Sequence, residues 1–324
     1  MQAVLISTLL AAGIAIAITL MIGPFMIPFL SQLKMGQNIR KEGPVRHYAK
    51  AGTPTMGGII IITSIFASCF IMVGTGTEAL TAVFIMLALG GVGFWDDYIK
   101  VVLKRSLGLR AREKLGLQLL IGLFFGLLLV FYFDRGTDII IPFTGAVIDL
   151  GILYIPFLIL VMLSAANGVN LTDGLDGLAA GVTFFAAIAF AAICFITSHY
   201  DLTVFCGALA GACVGFLVFN HYPARVFMGD TGSMALGGAV AAVAALTKTE
   251  IALVIIGGVY VIETLSVIIQ VITYQTIGKR VFLMSPLHHH YELKGMHETR
   301  VVKLFYVLAF MFAVAGFFSI KVMG

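Results

Sequence analysis

Ten apolar runs, most of about 20 residues, follow one another along this chain. They lie near 3–30, 55–74, 79–95, 115–133, 151–167, 177–198, 203–219, 234–247, 251–276 and 303–322. A run of that length with few charges crosses a bilayer as a helix. Helices and closed barrels are the only structures that satisfy every backbone polar group there. The 324 residues are 60% hydrophobic and 11% charged, against roughly 25% charged in a soluble domain. The fold class is therefore an all-α polytopic membrane protein of about ten transmembrane helices, with 1–324 expected to form a single membrane domain. The eighth run is the weakest, being short and rich in Gly and Ala. The first has no basic leader and is too long for a signal-peptide core, so it reads as a retained span.

Charge sets the expected orientation. Ten spans place both termini on one side. The loops 31–54, 96–114, 168–176, 220–233 and 277–303 then share the other side and hold 17 of the 20 Lys and Arg. The opposite side keeps Arg135, Lys248 and Lys321. The positive-inside rule makes the first set cytoplasmic and both termini external. The net charge of +4, with no basic arm, gives no reason to expect nucleic acid. Cys69, Cys194, Cys206 and Cys213 all lie in apolar runs and read as buried hydrophobes without disulfides. On the outer side, β-branched residues around Pro142 and Gly145 suggest a small hairpin within 134–149. Gly122-x-x-x-Gly126 and Gly207-x-x-x-Gly211-x-x-x-Gly215 permit close helix packing, more simply inside the chain than across a homodimer face.

The polar clusters fall on the expected cytoplasmic rim, where charged groups at membrane depth point to function. Asn167 to Gly177 reads NGVNLTDGLDG before the sixth span; Asp173 or Asp176 there could instead cap that helix. Lys50-Ala-Gly-Thr-Pro-Thr-Met-Gly-Gly precedes the second span, where Lys50 offers a point charge; Thr53 as a cap with Pro54 in the first turn is the plainer alternative. Asp96 and Asp97 end the third span at the partially negative end of a helix dipole, a poor place for two carboxylates unless a cation is held or a base is needed. Phe227-Met-Gly-Asp230-Thr-Gly-Ser233 places a carboxylate between glycines, and Asn220-His-Tyr-Pro precedes it. His288, His289 and His290 are adjacent, unlike the separated histidines of helical zinc motifs, and suit phosphate binding or proton transfer better. Glu263 and Gln270, seven apart, share one face of the ninth span.

An acidic rim with one lysine and several histidines suits an anionic substrate and a lipid-soluble partner. Carboxylates alone repel phosphates, and a divalent ion bridging the two removes that conflict; Mg²⁺ is the natural ion for oxygen ligands. Metal-assisted phosphoryl transfer at the inner membrane face follows. NLTDGLDGLA, FWDDYIK, FMGDTGSMALGG, GTPTMGG and PLHHHYE, in that combination, resemble the phospho-N-acetylmuramoyl-pentapeptide-transferases. These are bacterial peptidoglycan enzymes within the polyprenyl-phosphate sugar-1-phosphate transferase superfamily. The resemblance spans essentially the whole chain.

That resemblance implies transfer of phospho-MurNAc-pentapeptide from UDP-MurNAc-pentapeptide to undecaprenyl phosphate. Lipid I and UMP would form in the bacterial inner membrane with Mg²⁺ required. Asp230 is implied as the metal ligand, and Asp96, Asp97, Asp230 and His289 as the catalytic set. Lys50, Thr55, Asn170, Leu171, Asp173, Gly174, Leu175, Asp176, Asn220, Phe227, Gln270, His289 and His290 are implied to bind substrate, with Phe227 stacking on uracil. Two alternatives stay open. One is a UDP-N-acetylhexosamine-1-phosphate transferase of the same superfamily, which the histidine block disfavours. The other is a secondary transporter, whose polar groups would sit near midplane rather than at one rim.

Overall fold

The computed structural model describes residues 1–33, 50, 52–74, 76–105 and 108–320. Lys34, Arg40, Lys41, Arg46 and Lys321, which enter the charge count, lie outside the described residues. Twelve α-helices occur among the described residues: α1 (Gln2–Gln32), α2 (Gly58–Met72), α3 (Thr77–Val101), α4 (Ala111–Phe131), α5 (Tyr154–Thr172), α6 (Leu178–Ile196), α7 (Tyr200–Asn220), α8 (Gly229–Leu246), α9 (Glu250–Ile256), α10 (Gly258–Ile277), α11 (Leu287–Leu293) and α12 (Glu298–Ser319). Nine of these are long and apolar enough to cross a membrane, and α2 is a shorter apolar helix of 15 residues. The ninth expected span is broken at Gly257 into α9 and α10. Between α4 and α5 stands the expected hairpin, β1 (Asp138–Ile140) antiparallel to β2 (Val147–Asp149), with Ile139 opposite Ile148.

The weak eighth run turns out to be the axis of the molecule. Every residue of α8 from Thr231 to Leu246 is buried. α8 packs on α2, α3, α5, α6 and α9. A helix enclosed on all sides by other helices gains nothing from large lipid-facing side chains. It gains from small ones that let backbones approach, which is why its hydropathy is low. α1 packs along α7, where a Cβ on Gly211 would overlap the Ala12 backbone. The Gly122/Gly126 pair faces Ile159 and Ile155 of α5. Both small-residue patterns are thus used inside the chain. Side-chain hydroxyls bind α1 to α2: Thr19 Oγ1 lies 2.8 Å from Ser64 Oγ, and Ser68 Oγ donates to Ala11 O at 2.7 Å. All four cysteines are free and buried.

Several helix ends differ from the hydropathy reading. α3 continues past 95 to Val101, α5 past 167 to Thr172, and α8 starts at Gly229 rather than 234. In each case polar residues facing protein lower the hydropathy without ending the helix. α2 instead starts late. Thr53 and Pro54 do not open it; its N-cap is Gly57, and the preceding stretch pairs with the approach to α8. Phe227 N donates to Pro54 O at 2.8 Å, Gly57 N to Phe227 O at 2.9 Å and Gly58 N to Met228 O at 2.9 Å.

At the far end of α8 a buried ion pair locks the hairpin to the bundle. Arg135 Nη2 donates to Glu250 Oε1 at 2.5 Å, and Arg135 Nε to Ala245 O at 2.6 Å. Tyr154 Oη also donates to Glu250 Oε1, at 2.9 Å, and its ring lies 4.6 Å from the guanidinium. Removing one partner of a buried pair leaves the other charge uncompensated, at a cost of about 3–5 kcal/mol. Arg135→Ala should therefore lower the melting temperature in detergent sharply. Lys248→Ala breaks only the part-exposed pair with Asp138, so it should shift stability by about 1 kcal/mol or less.

Candidate active site

Three carboxylates converge where α3 meets the start of α8. Oxygens of Asp96, Asp97 and Asp230 all lie within 4.8 Å of one another. The helices reach this proximity because Gly93 has no side chain; a Cβ there would overlap the Asp230 carbonyl oxygen. Gly229, at φ 74°, turns the chain into α8 in a conformation that L side chains rarely adopt.

Asp97 does the capping that α8 lacks locally, since its N-cap, Met228, makes no side-chain cap bond. Asp97 Oδ1 accepts from Asp230 N at 3.2 Å. Its Oδ2 accepts from Thr231 N at 2.9 Å and Thr231 Oγ1 at 2.7 Å. These are the orphan donors of a helix start, satisfied from another helix. Asp96 Oδ1 accepts from Leu109 N at 2.8 Å. Asp96 Oδ2 is buried against the Lys100 ammonium. Asp230 Oδ2 takes Lys114 Nζ at 2.8 Å and Lys100 Nζ at 3.2 Å, and Asp230 Oδ1 takes Asn170 Nδ2 at 2.9 Å.

This corner fits a hard divalent cation. Among the described residues it offers carboxylate oxygens and no thiolate or imidazole. Mg²⁺ matches that donor set better than Zn²⁺. Asn170 belongs to the same corner: its amide also lies 2.9 Å from Ser233 Oγ.

A second group surrounds Lys50. Its ammonium donates to Asp176 Oδ1 at 2.7 Å and Glu298 Oε1 at 2.6 Å, and lies 5.8 Å from the centre of the Tyr222 ring. Burial alone would lower the Lys50 pKa, but the two carboxylates outweigh it and hold the ammonium above its ordinary value. Asp176 Oδ2 accepts from Ala224 N at 2.9 Å, so it does not cap α6, whose N-cap is Gly177 at φ 80°. Asn220 joins the same loops, accepting from Gly177 N at 3.0 Å and donating to Val226 O at 2.9 Å.

The histidines form a third group. His288 is fully buried, its Nδ1 lying 3.2 Å from Glu263 Oε1, and Gly174 lies so close to its Nε2 that a Cβ would overlap. His289 Nδ1 lies 3.0 Å from Glu292 Oε2. His290 Nδ1 accepts from Leu283 N at 3.1 Å, so the proton of the neutral ring sits on Nε2. Burial and then Lys294 lower its pKa, which favours that neutral form. Gln270 spends its amide on the same loop, accepting from Val281 N at 3.0 Å and Phe282 N at 2.9 Å while donating to Phe282 O at 2.9 Å.

Asp173, the residue after α5, links the groups. Burial raises its pKa first, and the charges of Asp230, Asp97 and Asp176 raise it further, against a hydrogen bond from the Gly229 backbone that lowers it. Thr55 is buried beside Gly229, and Phe227 is half-buried in the 54–58 pairing. Leu175 is buried and Leu171 half-buried. Three side chains that meet these groups escaped the sequence reading. Lys100 lies one turn after Asp96, a spacing that does place both on one helix face. Lys114 and Glu298 meet Asp230 and Lys50 only through tertiary packing, and no local pattern marks them.

A helical membrane protein with an oxygen-rich, lysine-flanked centre at one end of its bundle has the charge arrangement that a membrane transferase of anionic groups requires. Sequence comparison leads to the same place. The model described as glycosyl transferase family 4 matches residues 79–248, and phospho-N-acetylmuramoyl-pentapeptide-transferase signature 1 matches residues 50–62. The phospho-N-acetylmuramoyl-pentapeptide-transferase of Desulfitobacterium hafniense is 52% identical over 320 residues, covering 95% of this chain and 96% of the relative. That of Desulforudis audaxviator is 51% identical over 334 residues, covering 99% and 100%. The Desulforamulus reducens protein of the same name is 52% identical over 315 residues, covering 95% and 94%. The chain belongs to the phospho-N-acetylmuramoyl-pentapeptide-transferase family.

The raised Asp173 pKa has a stability consequence. The unfolded state gives up this proton near pH 3.9 and the folded state only at higher pH. Ionisation thus favours unfolding, and stability is lost as pH rises from the unfolded towards the folded pKa. Asp173→Asn should raise the melting temperature at pH 7, and the gain should shrink as pH falls towards 4.

Proposed function

We propose that this protein transfers phospho-MurNAc-pentapeptide from UDP-MurNAc-pentapeptide to undecaprenyl phosphate, giving lipid I and UMP. The observation that carries the reading is 51–52% identity to phospho-N-acetylmuramoyl-pentapeptide-transferases over nearly the whole chain. The convergence of Asp96, Asp97 and Asp230 supports it.

In the reaction, an oxygen of the lipid phosphate attacks the β-phosphorus of the nucleotide sugar. The bond from that phosphorus to the bridging oxygen breaks, and UMP leaves. Asp230 would hold Mg²⁺ with Asp96 alongside, and the ion would supply neutralisation of the diphosphate charge. The lipid phosphate, with a second pKa of about 6, needs little help to ionise fully. Asp96 is the better placed of the pair to finish that deprotonation, because all the bonds of Asp97 go to the α8 backbone and Thr231. Lys100 and Lys114 stand beside Asp230 and supply positive charge where the transferred group is most anionic. Lys50, neutralised by two carboxylates, serves the nucleotide side with Asp176, Asn220 and Phe227. His289 and His290 are assigned to the diphosphate, His290 as a neutral donor through Nε2.

The site would face the cytoplasm, where the nucleotide substrate is made, with the hairpin and both termini outside. Because the native cysteines are buried, single introduced thiols report sidedness cleanly. Thr144→Cys should react with an impermeant maleimide in intact cells, and Lys294→Cys only after permeabilisation; the reverse pattern overturns the orientation.

UMP release in detergent tests the reaction. Wild type should be active with UDP-MurNAc-pentapeptide and inactive with UDP-GlcNAc. Asp230→Ala and Lys114→Met should each reduce turnover by about 10²–10³-fold, the range for removing one group that stabilises transition-state charge. Full activity in both variants would overturn the site assignment.

A further inference from the structure

Glu298, in the first turn of α12, has no role in the chemistry above, yet it is buried and polar. One of its oxygens, Oε1, accepts from Lys50 Nζ at 2.6 Å and from Asp176 N at 2.8 Å. That atom therefore joins three stretches of chain: the segment before α2, the turn between α5 and α6, and the start of α12. The carboxylate is favoured where it stands, since it lies at the positive end of the α12 dipole. His297 seals that end as N-cap, accepting from Thr299 N, and packs edge-on against Tyr222 at 5.4 Å.

The arrangement has more anionic groups than Lys50 needs. Asp176 alone would neutralise the ammonium. Glu298 adds a second carboxylate and, with the same oxygen, fixes the Asp176 backbone. Asp176 in turn holds Ala224 through Oδ2, and Gly177 beyond it is held by Asn220 and by Tyr306 Oη, which donates to Gly177 O at 2.8 Å. Removing Glu298 would leave Lys50 with Asp176 as its one carboxylate partner among the described residues, and release one end of this turn. The chemistry at Asp96, Asp97 and Asp230 has no direct bond to Glu298.

We propose that Glu298 is a positioning residue that clamps Lys50 and the Asp173–Gly177 turn in the geometry that receives the nucleotide half of the donor substrate. This rests on the nucleotide-sugar reading above. Losing a hydrogen bond to a charged group costs affinity by about tenfold. In full-length protein, Glu298→Gln should raise the KM for UDP-MurNAc-pentapeptide about tenfold. The KM for undecaprenyl phosphate should hold, and kcat should change by less than about threefold. Glu298→Asp should stay closer to wild type. Combining Glu298→Gln with Lys50→Met should raise the nucleotide KM by less than the product of the two single effects, because the two residues share the Lys50–Glu298 contact. UDP binding by calorimetry should weaken in parallel with the nucleotide KM. An unchanged UDP affinity and nucleotide KM in Glu298→Gln would overturn the clamp, as would a parallel rise in both KM values with a lowered melting temperature, which marks a general folding role. If the wild type releases no UMP, the proposed reaction fails, and UDP binding still decides the clamp.

Discussion

The crossing of α3 and α8 at Gly93 is the contact on which the remaining site depends. It brings the Asp97 carboxylate to the first turn of α8, where three donors meet its two oxygens. Charge-assisted bonds to helix-start amides are among the stronger hydrogen bonds in proteins. In a membrane, few other partners exist for those amides. Asp97 therefore fixes α8 in rotation and depth, and with it Asp230, whose oxygens meet Lys100, Lys114 and Asn170 from α3, α4 and α5. The same small side chains that make this crossing possible make α8 the most enclosed spanning helix among those described.

α8 also separates two electrostatic jobs. Its first turn carries Asp230, and its last turn accepts from Arg135 at Ala245. Eighteen helical residues span about 27 Å, close to the hydrocarbon thickness. The far-end network of Arg135, Glu250 and Tyr154 is balanced in charge: one guanidinium meets one carboxylate, with the Tyr154 hydroxyl on the same oxygen. The near end is different in kind. Three carboxylates crowd there against two lysine ammoniums. A charge-balanced pair stabilises structure, whereas three carboxylates against two ammoniums leave negative charge in excess and suit a ligand that brings opposite charge.

Hydropathy made nearly all the spans legible, because lipid contact demands large apolar side chains over a fixed length. It failed where helices face protein. α8 looked doubtful since burial against helices selects Gly and Ala. α3, α5 and α8 looked too short since Asp96, Asn170 and Asp230 are polar yet helical. The acidic site was legible for a related reason: carboxylates at membrane depth are costly enough to stand out. The cations around it were not. Lys100 on α3 and Lys114 on α4 lie among other basic residues of the rim, and although Lys100 is one turn from Asp96, nothing local ties either lysine to Asp230. Glu298, Arg135 and Glu250 find their ion-pair partners more than 100 residues away, and pairings at that range are tertiary facts.

Several residues expected to bind substrate are already bonded to protein, and this bears on how the site works. Asn170, Asn220 and Gln270 use their amides on Asp230, on the Gly177 turn and on the 281–282 backbone. Such bonds hold loops in place before any ligand arrives, so less ordering entropy opposes binding. Asp173 sits at the opposite extreme. Crowded by Asp230, Asp97 and Asp176, its ionised form destabilises the fold, and the surrounding scaffold must offset that cost. A bilayer-embedded bundle is well suited to do so, because its helices are fixed along most of their length by packing remote from the rim. The strained acidic end and the rigid amide-bonded loops are then complementary: the second keeps the first from relaxing apart.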